Sequence, residues 1–252
     1  LVDEAVFNKI NYSVRVKGVH NRVILIMNPT TVDHWIYKRW FTQSQDNTTY
    51  IHTDYRDNID NLNEDVIKDF ERLKIERPKE YEHVVLGGWK LKADGVIFEN
   101  WERGEFDTSL PFIFGADYGF AKDPSTLVKV ALDEKKKTIY LEEKLYEQHL
   151  STDQLKQIYH NIVEDSLVIC DSAELRLIND LISDNINAQP TLKKPGSVLS
   201  GIKSLQSYKL IVCGNSQNLI TEFNNYAWID KGTKTIPVDD YNHIIDAIRY
   251  AY

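Results

Sequence analysis

The sequence lacks any apolar run long enough to cross a membrane. Its 252 residues contain no stretch near the roughly 18 apolar residues that a spanning helix needs, and its first residues do not resemble a secretory leader. It also has only two cysteines, Cys170 and Cys213, and each lies in an apolar run. Two such residues cannot form the disulfide framework of a small secreted protein. We therefore expect buried thiols and a soluble, cytosolic protein with no membrane partner.

A phosphate-cradling loop of the form G-x-x-x-x-G-K-[ST] is missing as well. The nearest stretch, 196-GSVLSGIKS-204, has Ile202 between Gly201 and Lys203. We therefore predict that this chain does not hydrolyse ATP. The first position holds Leu1 and not methionine, so we expect a fragment of a longer protein.

Acidic residues outnumber basic ones, and the net charge is -8. Such a balance argues against a protein that coats nucleic acid through a uniformly basic surface. It does not exclude an enzyme acting on nucleic acid, because a cluster of metal-binding acids adds to the negative count. Two local groups of lysines could position a duplex through its phosphates, or could simply be solvated. The first group is Lys193, Lys194, Lys203 and Lys209, which we expect to form one patch, and the second is Lys231 and Lys234.

The carboxy-terminal part shows the pattern of a mixed α/β sheet. Three strand candidates follow one another from Pro111, and the charged DEKKK turn between the second and third favours an antiparallel meander. Helices and strands then alternate, which predicts parallel strands with helices on both faces of the sheet. The apolar strand around Val168 and Ile169 should be central and parallel to the first strand. This arrangement resembles the ribonuclease-H-like fold.

The amino-terminal part is less regular. We predict strands at LVDEA and VILIMNP, and a helix from Asn63 to about Arg77, with Asn63 as its N-cap. From about Gly87 to Leu110 the sequence is irregular and suggests a connector with one short strand, GVIFENW.

Two aspartates follow strands that we expect to be neighbours. Asp117 ends the first strand of the meander, and Asp171 ends the apolar strand SLVICD. Open sheets bind ligands outside the carboxyl ends of parallel strands, and two close carboxylates repel each other unless a cation lies between them. Mg²⁺ or Mn²⁺ suits such oxygen ligands best. Asp246 is a third candidate, because it lies among the apolar residues of the last helix, where a buried acid needs a partner.

Each acid also has an ordinary structural interpretation. Asp117 could be a turn residue, and Asp171 could cap the helix that follows it. Asp246 could pair with Arg249 three residues later, and Asp123 is most simply a loop acid. The metal-binding interpretation is favoured because three acids fall where one fold would bring them together.

Several motifs resemble the large terminase subunit of tailed bacteriophages, over essentially the whole chain. GADYGFAKDPS, ICDSAE and YNHIIDAIRYA resemble the nuclease domain of that family. LVDEA and MNPTTVDHWIYKRWF resemble the end of its packaging ATPase, with Asp3 and Glu4 at the positions of the metal-binding and catalytic acids. The resemblance implies a partial P-loop-type ATPase segment over residues 1–85, a connector over 86–110 and a ribonuclease-H-like nuclease domain over 111–252.

The resemblance also implies an activity. Asp117, Asp171 and Asp246 would bind two divalent ions, Mg²⁺ or Mn²⁺, and cleave double-stranded phage DNA during genome packaging. Portal protein and the small terminase subunit would be partners of the full-length protein, acting in the host bacterial cytoplasm at the procapsid portal. His243 could contact a phosphate or the attacking water, or could be structural. Glu142, at the end of the third strand, could be a fourth ligand or a solvated acid.

Two alternative functions remain open. The same fold occurs in Holliday-junction resolvases and ribonuclease H, which act on branched DNA or on an RNA strand. The chain could instead be a non-catalytic module that docks on a portal or partner subunit, in which case the acids would have lost their function.

Overall fold

The computed structural model describes residues 3–43 and 45–252. These residues divide into two compact units, one ending at Ala93 and the other spanning Asp94–Tyr252. None of the described helices is both long and apolar enough to cross a bilayer.

The first unit is built from short helices. Asn63 caps one of them as predicted, because its side chain accepts a hydrogen bond of 2.9 Å from the backbone N–H of Asp65. The α-helices are α1 (Glu4–Ser13), α2 (Trp35–Trp40), α3 (Glu64–Glu76) and α4 (Pro78–Glu80), with a 3₁₀ segment at Tyr55–Asn61 and a π-helical turn at Tyr81–Val85.

Both strands predicted for this unit are wrong where they can be checked. Asp3 caps α1, accepting hydrogen bonds from the N–H groups of Ala5 and Val6, so LVDEA leads into a helix; its first two residues lie outside the described part. The VILIMNP segment is neither helix nor strand, and Ile24 and Ile26 are 78% and 95% exposed. An extended run becomes a strand only when another strand pairs with its backbone, and the described residues supply none here.

The second unit contains a seven-stranded sheet in the order β1-β7-β4-β3-β2-β5-β6. Strands β2, β3 and β4 form the predicted antiparallel meander, while β5 lies parallel to β2 and β7 lies parallel to β4. The strands are β1 (Trp101–Arg103), β2 (Phe112–Asp117), β3 (Ser125–Asp133), β4 (Thr138–Glu147), β5 (Val168–Cys170), β6 (Ala188–Pro190) and β7 (Lys209–Cys213), and a separate hairpin consists of β8 (Trp228–Lys231) and β9 (Lys234–Pro237).

Helices cover both faces of this sheet, which confirms the predicted class. They are α5 (Thr152–Ile162), α6 (Leu175–Ser183), α7 (Ser197–Gln206), α8 (Gln217–Asn225) and α9 (His243–Ala251). Alternate residues of a strand point to opposite faces, so neighbours such as Leu127 and Val128 belong to different cores. Helices α7, α8 and α9 close one core, and α5 and α6 close the other.

The two cysteines are buried free thiols, as predicted, and Cys170 belongs to the core closed by α5 and α6. Burial raises the pKa of both Cys170 and Cys213 to about 11. They are therefore inert packing groups at neutral pH.

One glycine sets the distance between α9 and the sheet. A methyl group added at Gly115, in the middle of β2, would lie 1.9 Å from the carbonyl oxygen of Ala247. Only a residue without a side chain permits that approach. The close packing brings the first turns of α9 over the carboxyl end of β2.

Candidate active site

Two of the predicted acids lie side by side at the carboxyl edge of the sheet. In the register between β2 and β5, Ala116 pairs with Cys170. Asp117 and Asp171 each follow one residue later, and the N–H of Asp171 donates to the carbonyl oxygen of Ala116 at 3.0 Å. Their side chains are only 15% and 14% exposed. The pairing of β2 with β5 therefore fixes both carboxylates at one edge.

The third acid, Asp246, reaches the same edge from α9. Burial raises the pKa of Asp246, Arg249 lowers it, and the charge of Asp117 adds to the rise. The pKa of Asp246 therefore lies above its usual value. The hydroxyl of Tyr250 on α9 is affected by all three acids, because burial and nearby negative charges raise its pKa. Those charges belong to Asp246, Asp117 and Asp171. The three acids thus lie within electrostatic reach of Tyr250, and Asp117 lies within reach of Asp246.

The acids do not form a closed ligand set as they stand. Over residues 3–43 and 45–252, no three Asp, Glu, His or Cys side chains are grouped tightly enough to hold a metal ion. Each carboxylate is instead turned toward a partner of its own. This arrangement is expected when several negative charges lie close together in a partly buried site.

The partners of Asp171 and Asp246 match the ordinary interpretations of these residues. Asp171 Oδ1 accepts a hydrogen bond of 2.9 Å from the N–H of Ala173, which caps a 3₁₀ turn, and it forms an ion pair with Lys193. Asp246 Oδ1 accepts two hydrogen bonds from Arg249, of 3.1 Å from Nε and 2.5 Å from Nη2. Both interpretations are correct, and neither prevents the acids from sharing one edge.

His243 connects Asp117 with a loop acid. Its Nδ1 lies 3.6 Å from Asp117 Oδ2, and its Nε2 lies 3.9 Å from Asp123 Oδ1. Burial alone would lower the pKa of His243, but the Asp117 carboxylate raises it above its usual value. The imidazole therefore holds a proton more readily than a free histidine does, at a point between two carboxylates. Asp123, an ordinary loop acid by its sequence, is part of this edge.

Sequence reasoning missed Glu222, which holds the start of α9. The side chain is 1% exposed and accepts hydrogen bonds from the N–H groups of Ile244 and Ile245, the shortest being 2.9 Å and 3.0 Å. Asn242, at the N-cap position of α9, provides no side-chain cap. Burial raises the pKa of Glu222 to about 8, although the two backbone hydrogen bonds lower it. The available signal was its spacing, since Glu222 shares the apolar face of α8 with Leu219.

A cleft of about 450 Å³ opens at this edge of the sheet. Its lining is mostly polar and acidic. Its charged residues are Asp117, Lys122, Asp123, Asp171, Asp239 and Asp240, together with His243. The cleft therefore suits cations, because most of its charged lining residues are carboxylates.

Two other predictions about charged residues need correction. Glu142 lies in the middle of β4, and its carboxylate pairs with Lys144 at 2.6 Å. Lys209 begins β7 and pairs with Glu102 at 2.8 Å. Strand β7 runs parallel to β4, which runs in the same direction as β2. Lys209, at the start of β7, therefore lies at the amino edge of the sheet, whereas Lys193, which follows β6, lies at the carboxyl edge. The predicted single lysine patch is therefore wrong.

Comparisons with known families agree with this fold. The family described as "Terminase RNAseH like domain" matches residues 117–252, and the family described as "Phage terminase large subunit" matches residues 2–88. The fold and site thus define a ribonuclease-H-like domain of the terminase class. The chain belongs to the phage large terminase family, which confirms the resemblance found in its motifs, and the match over residues 2–88 fits the predicted partial ATPase segment.

Individual relatives show how far the similarity extends. The PBSX phage terminase large subunit of Bacillus subtilis (strain 168) is 23% identical over 261 residues, which cover 91% of this chain and 60% of that protein. This chain thus spans about 60% of the length of that curated relative.

Solved structures share this fold. The g2p (large terminase) nuclease domain from bacteriophage SPP1, solved with bound Mn, is 30% identical, with 61% of this chain and 96% of that chain covered and a TM-score of 0.54. The P22 large terminase nuclease domain shares the fold at 17% identity, covering 63% of this chain and 91% of that chain with a TM-score of 0.52. A large terminase from a thermophilic bacteriophage shares it at 18% identity over 98% of this chain and 66% of that one, also with a TM-score of 0.52.

Proposed function

We propose that the unit Asp94–Tyr252 is a divalent-metal-dependent endonuclease that cleaves double-stranded phage DNA during genome packaging. The observation that supports this most directly is the convergence of Asp117, Asp171 and Asp246 at one edge of a ribonuclease-H-like sheet. The SPP1 nuclease domain, solved with bound Mn, is the relative that suggests the metal.

The residues at the edge fit such a metal. All three candidates are carboxylates, the oxygen ligands that Mg²⁺ and Mn²⁺ prefer. Their side chains are largely buried, and a buried carboxylate needs a positive partner. We propose that Asp117, Asp171 and Asp246 hold two divalent ions. Bound as a pair, such ions activate a water and stabilise the leaving 3′ oxygen of a phosphodiester.

The neighbouring side chains prepare this site. Arg249 is 5% exposed and directs both of its bonds to Oδ1 of Asp246, which fixes the orientation of that carboxylate. His243 lines the cleft beside Asp117, where its raised pKa favours the protonated form that can donate to a phosphate oxygen. Glu222 holds the helix that bears both Asp246 and His243.

We also propose the organisation that the resemblance implies. Residues 1–85 would be the end of a packaging ATPase domain, 86–110 a connector and 111–252 the nuclease domain. Without a phosphate-cradling loop this chain would not hydrolyse ATP, and stoichiometric nucleotide binding in a titration would refute that. In the full-length context its partners would be the portal protein and the small terminase subunit, at the procapsid portal in the host cytoplasm.

A plasmid-nicking assay with Mn²⁺ tests the nuclease proposal. Asp117→Asn, Asp171→Asn and Asp246→Asn should each abolish nicking, because each removes one proposed ligand charge while preserving shape. Asp180→Asn, the same change at an exposed position of α6, serves as the control and should nick normally.

The outcome of that assay separates the alternatives. Full nicking by all three aspartate variants would contradict the catalytic proposal. No nicking by the unaltered chain would favour a docking module. A clear preference for branched DNA or for an RNA strand over plain duplex would favour a resolvase or a ribonuclease H.

A further inference from the structure

A lysine from a loop occupies part of the proposed metal site. Lys193 follows β6, in a segment that the hydrogen bond from the N–H of Thr191 to the carbonyl oxygen of Cys170, 2.8 Å long, ties to the carboxyl edge of the sheet. Its Nζ forms an ion pair with Asp171 Oδ1 and lies 5.3 Å from the ring centroid of Tyr250 on α9. Its charge also lowers the pKa of Asp246. The ammonium group therefore lies near both Asp171 and α9, the helix that carries Asp246.

The two cations at this edge differ in how firmly they are held. The Arg249 side chain is 5% exposed and makes two hydrogen bonds to one carboxylate oxygen. The Lys193 side chain is 44% exposed, and its ion pair with Asp171 ends in a single flexible ammonium group. A lysine is a strongly hydrated point charge on a stem with four rotatable bonds, so it can leave a carboxylate for water at little cost.

We propose that Lys193 is a tethered cation that neutralises Asp171 in the absence of metal and that a divalent ion must displace. The inference rests on the proposed metal site. Asp171 cannot satisfy the ammonium group and a divalent ion through the same oxygen at the same time, because both are positive and would repel each other. Lys193 thus weakens metal binding by competing for Asp171, and it sets the divalent-ion concentration at which the site fills.

A substitution that removes the charge of Lys193 distinguishes competition with the metal from structural support of the site. Lys193→Met keeps an unbranched, flexible side chain at this position and removes the charge. If Lys193 only supported the site, the substitution would leave Mn²⁺ affinity unchanged or weaken it. If it competes with the metal, the affinity must rise. A partly exposed ion pair contributes up to about 1 kcal/mol, so the dissociation constant for Mn²⁺ should fall about 3- to 5-fold.

The test is a Mn²⁺ titration of the full chain, followed by the electron paramagnetic resonance signal of free Mn²⁺. Lys194→Met is the matched control, because it removes the same charge one residue away, from an exposed side chain. We expect Lys193→Met to tighten Mn²⁺ binding and Lys194→Met to change it less than about 2-fold. Asp171→Asn should weaken binding in both the unaltered and the Lys193→Met backgrounds, and to a larger extent in the latter, where no ammonium group competes.

Three results would overturn the inference, and they are distinguishable. Unchanged or weaker binding in Lys193→Met, with normal binding by the unaltered chain, would refute the competition alone. An equal gain in Lys193→Met and Lys194→Met would show that only the net charge matters. No Mn²⁺ binding by the unaltered chain would overturn the metal site and this inference together.

Discussion

Glu222 offers a sharp test of how burial controls the helix that carries the site. Two forces act on its carboxyl group in opposite directions, since burial favours the neutral form and two backbone N–H groups favour the charged form. The structure indicates that burial wins, raising the pKa from the ordinary 4.5 to about 8. Between those pH values the unfolded chain has released a proton that the folded chain still holds. Stability must therefore fall as pH rises through this window.

The magnitude follows from the size of the window. Each pH unit between 4.5 and about 8 removes about 1.4 kcal/mol, so the total contribution is roughly 4–5 kcal/mol. Glu222→Gln replaces the group with a neutral amide of the same shape, which can still accept the hydrogen bonds of Ile244 and Ile245. The variant should match the unaltered protein near pH 5 and be several kcal/mol more stable than it near pH 8.

Chemical denaturation of both proteins at several pH values between 5 and 8 gives the difference between their free energies of unfolding. Groups that titrate in both proteins cancel in that difference, and Glu174→Gln, at an exposed position, controls for the loss of one surface charge. A difference between Glu222→Gln and the unaltered protein that does not change with pH would refute the dominance of burial. A variant that loses stability as pH rises, relative to the unaltered protein, would show that the N-terminus of α9 holds a charged carboxylate.

Two further predictions concern the packing and charge of α9. Gly115→Ala places a methyl group 1.9 Å from the carbonyl oxygen of Ala247, so we expect a loss of at least about 3 kcal/mol and about 100-fold slower nicking as α9 moves. Gly104→Ala, whose methyl would meet only a side-chain carbon, should be much milder, and equal losses would contradict the role assigned to Gly115. Arg249→Met leaves Asp246 buried without its partner and should destabilise the unit by about 3 kcal/mol. Added Mn²⁺ should restore part of that loss in thermal melts. A variant as stable as the unaltered chain would contradict the pairing.

Much of the second unit was predictable because its pattern is local and strong. The apolar run before Asp117 and the charged turn after Asp133 define the meander by period and turn chemistry alone. The position of Asp171 beside Asp117 follows from the parallel pairing of two apolar strands. These features need no knowledge of distant contacts, so sequence reasoning recovers them.

The failures have a common physical cause. The VILIMNP run has the composition of a buried strand, but a strand also needs another strand to pair with, and composition does not show whether one is present. Lys209 and Lys193 are close in the sequence, yet the direction of β7 puts them at opposite edges. In the sequence, Glu222 is a single polar residue on a helix. Its role depends on the start of α9, whose N–H groups donate to it. In each case a long-range contact decides the outcome.

The central claim is that three aspartates distant in the sequence share divalent ions at one edge of the sheet. Crystals of the unaltered chain soaked in Mn²⁺ test it most directly. We expect anomalous peaks within coordinating distance of Asp117, Asp171 and Asp246, with Lys193 moved away from Asp171. Peaks that lie only on other acids, such as Asp239 and Asp240, or no peaks with each aspartate still on its protein partner, would contradict the claim.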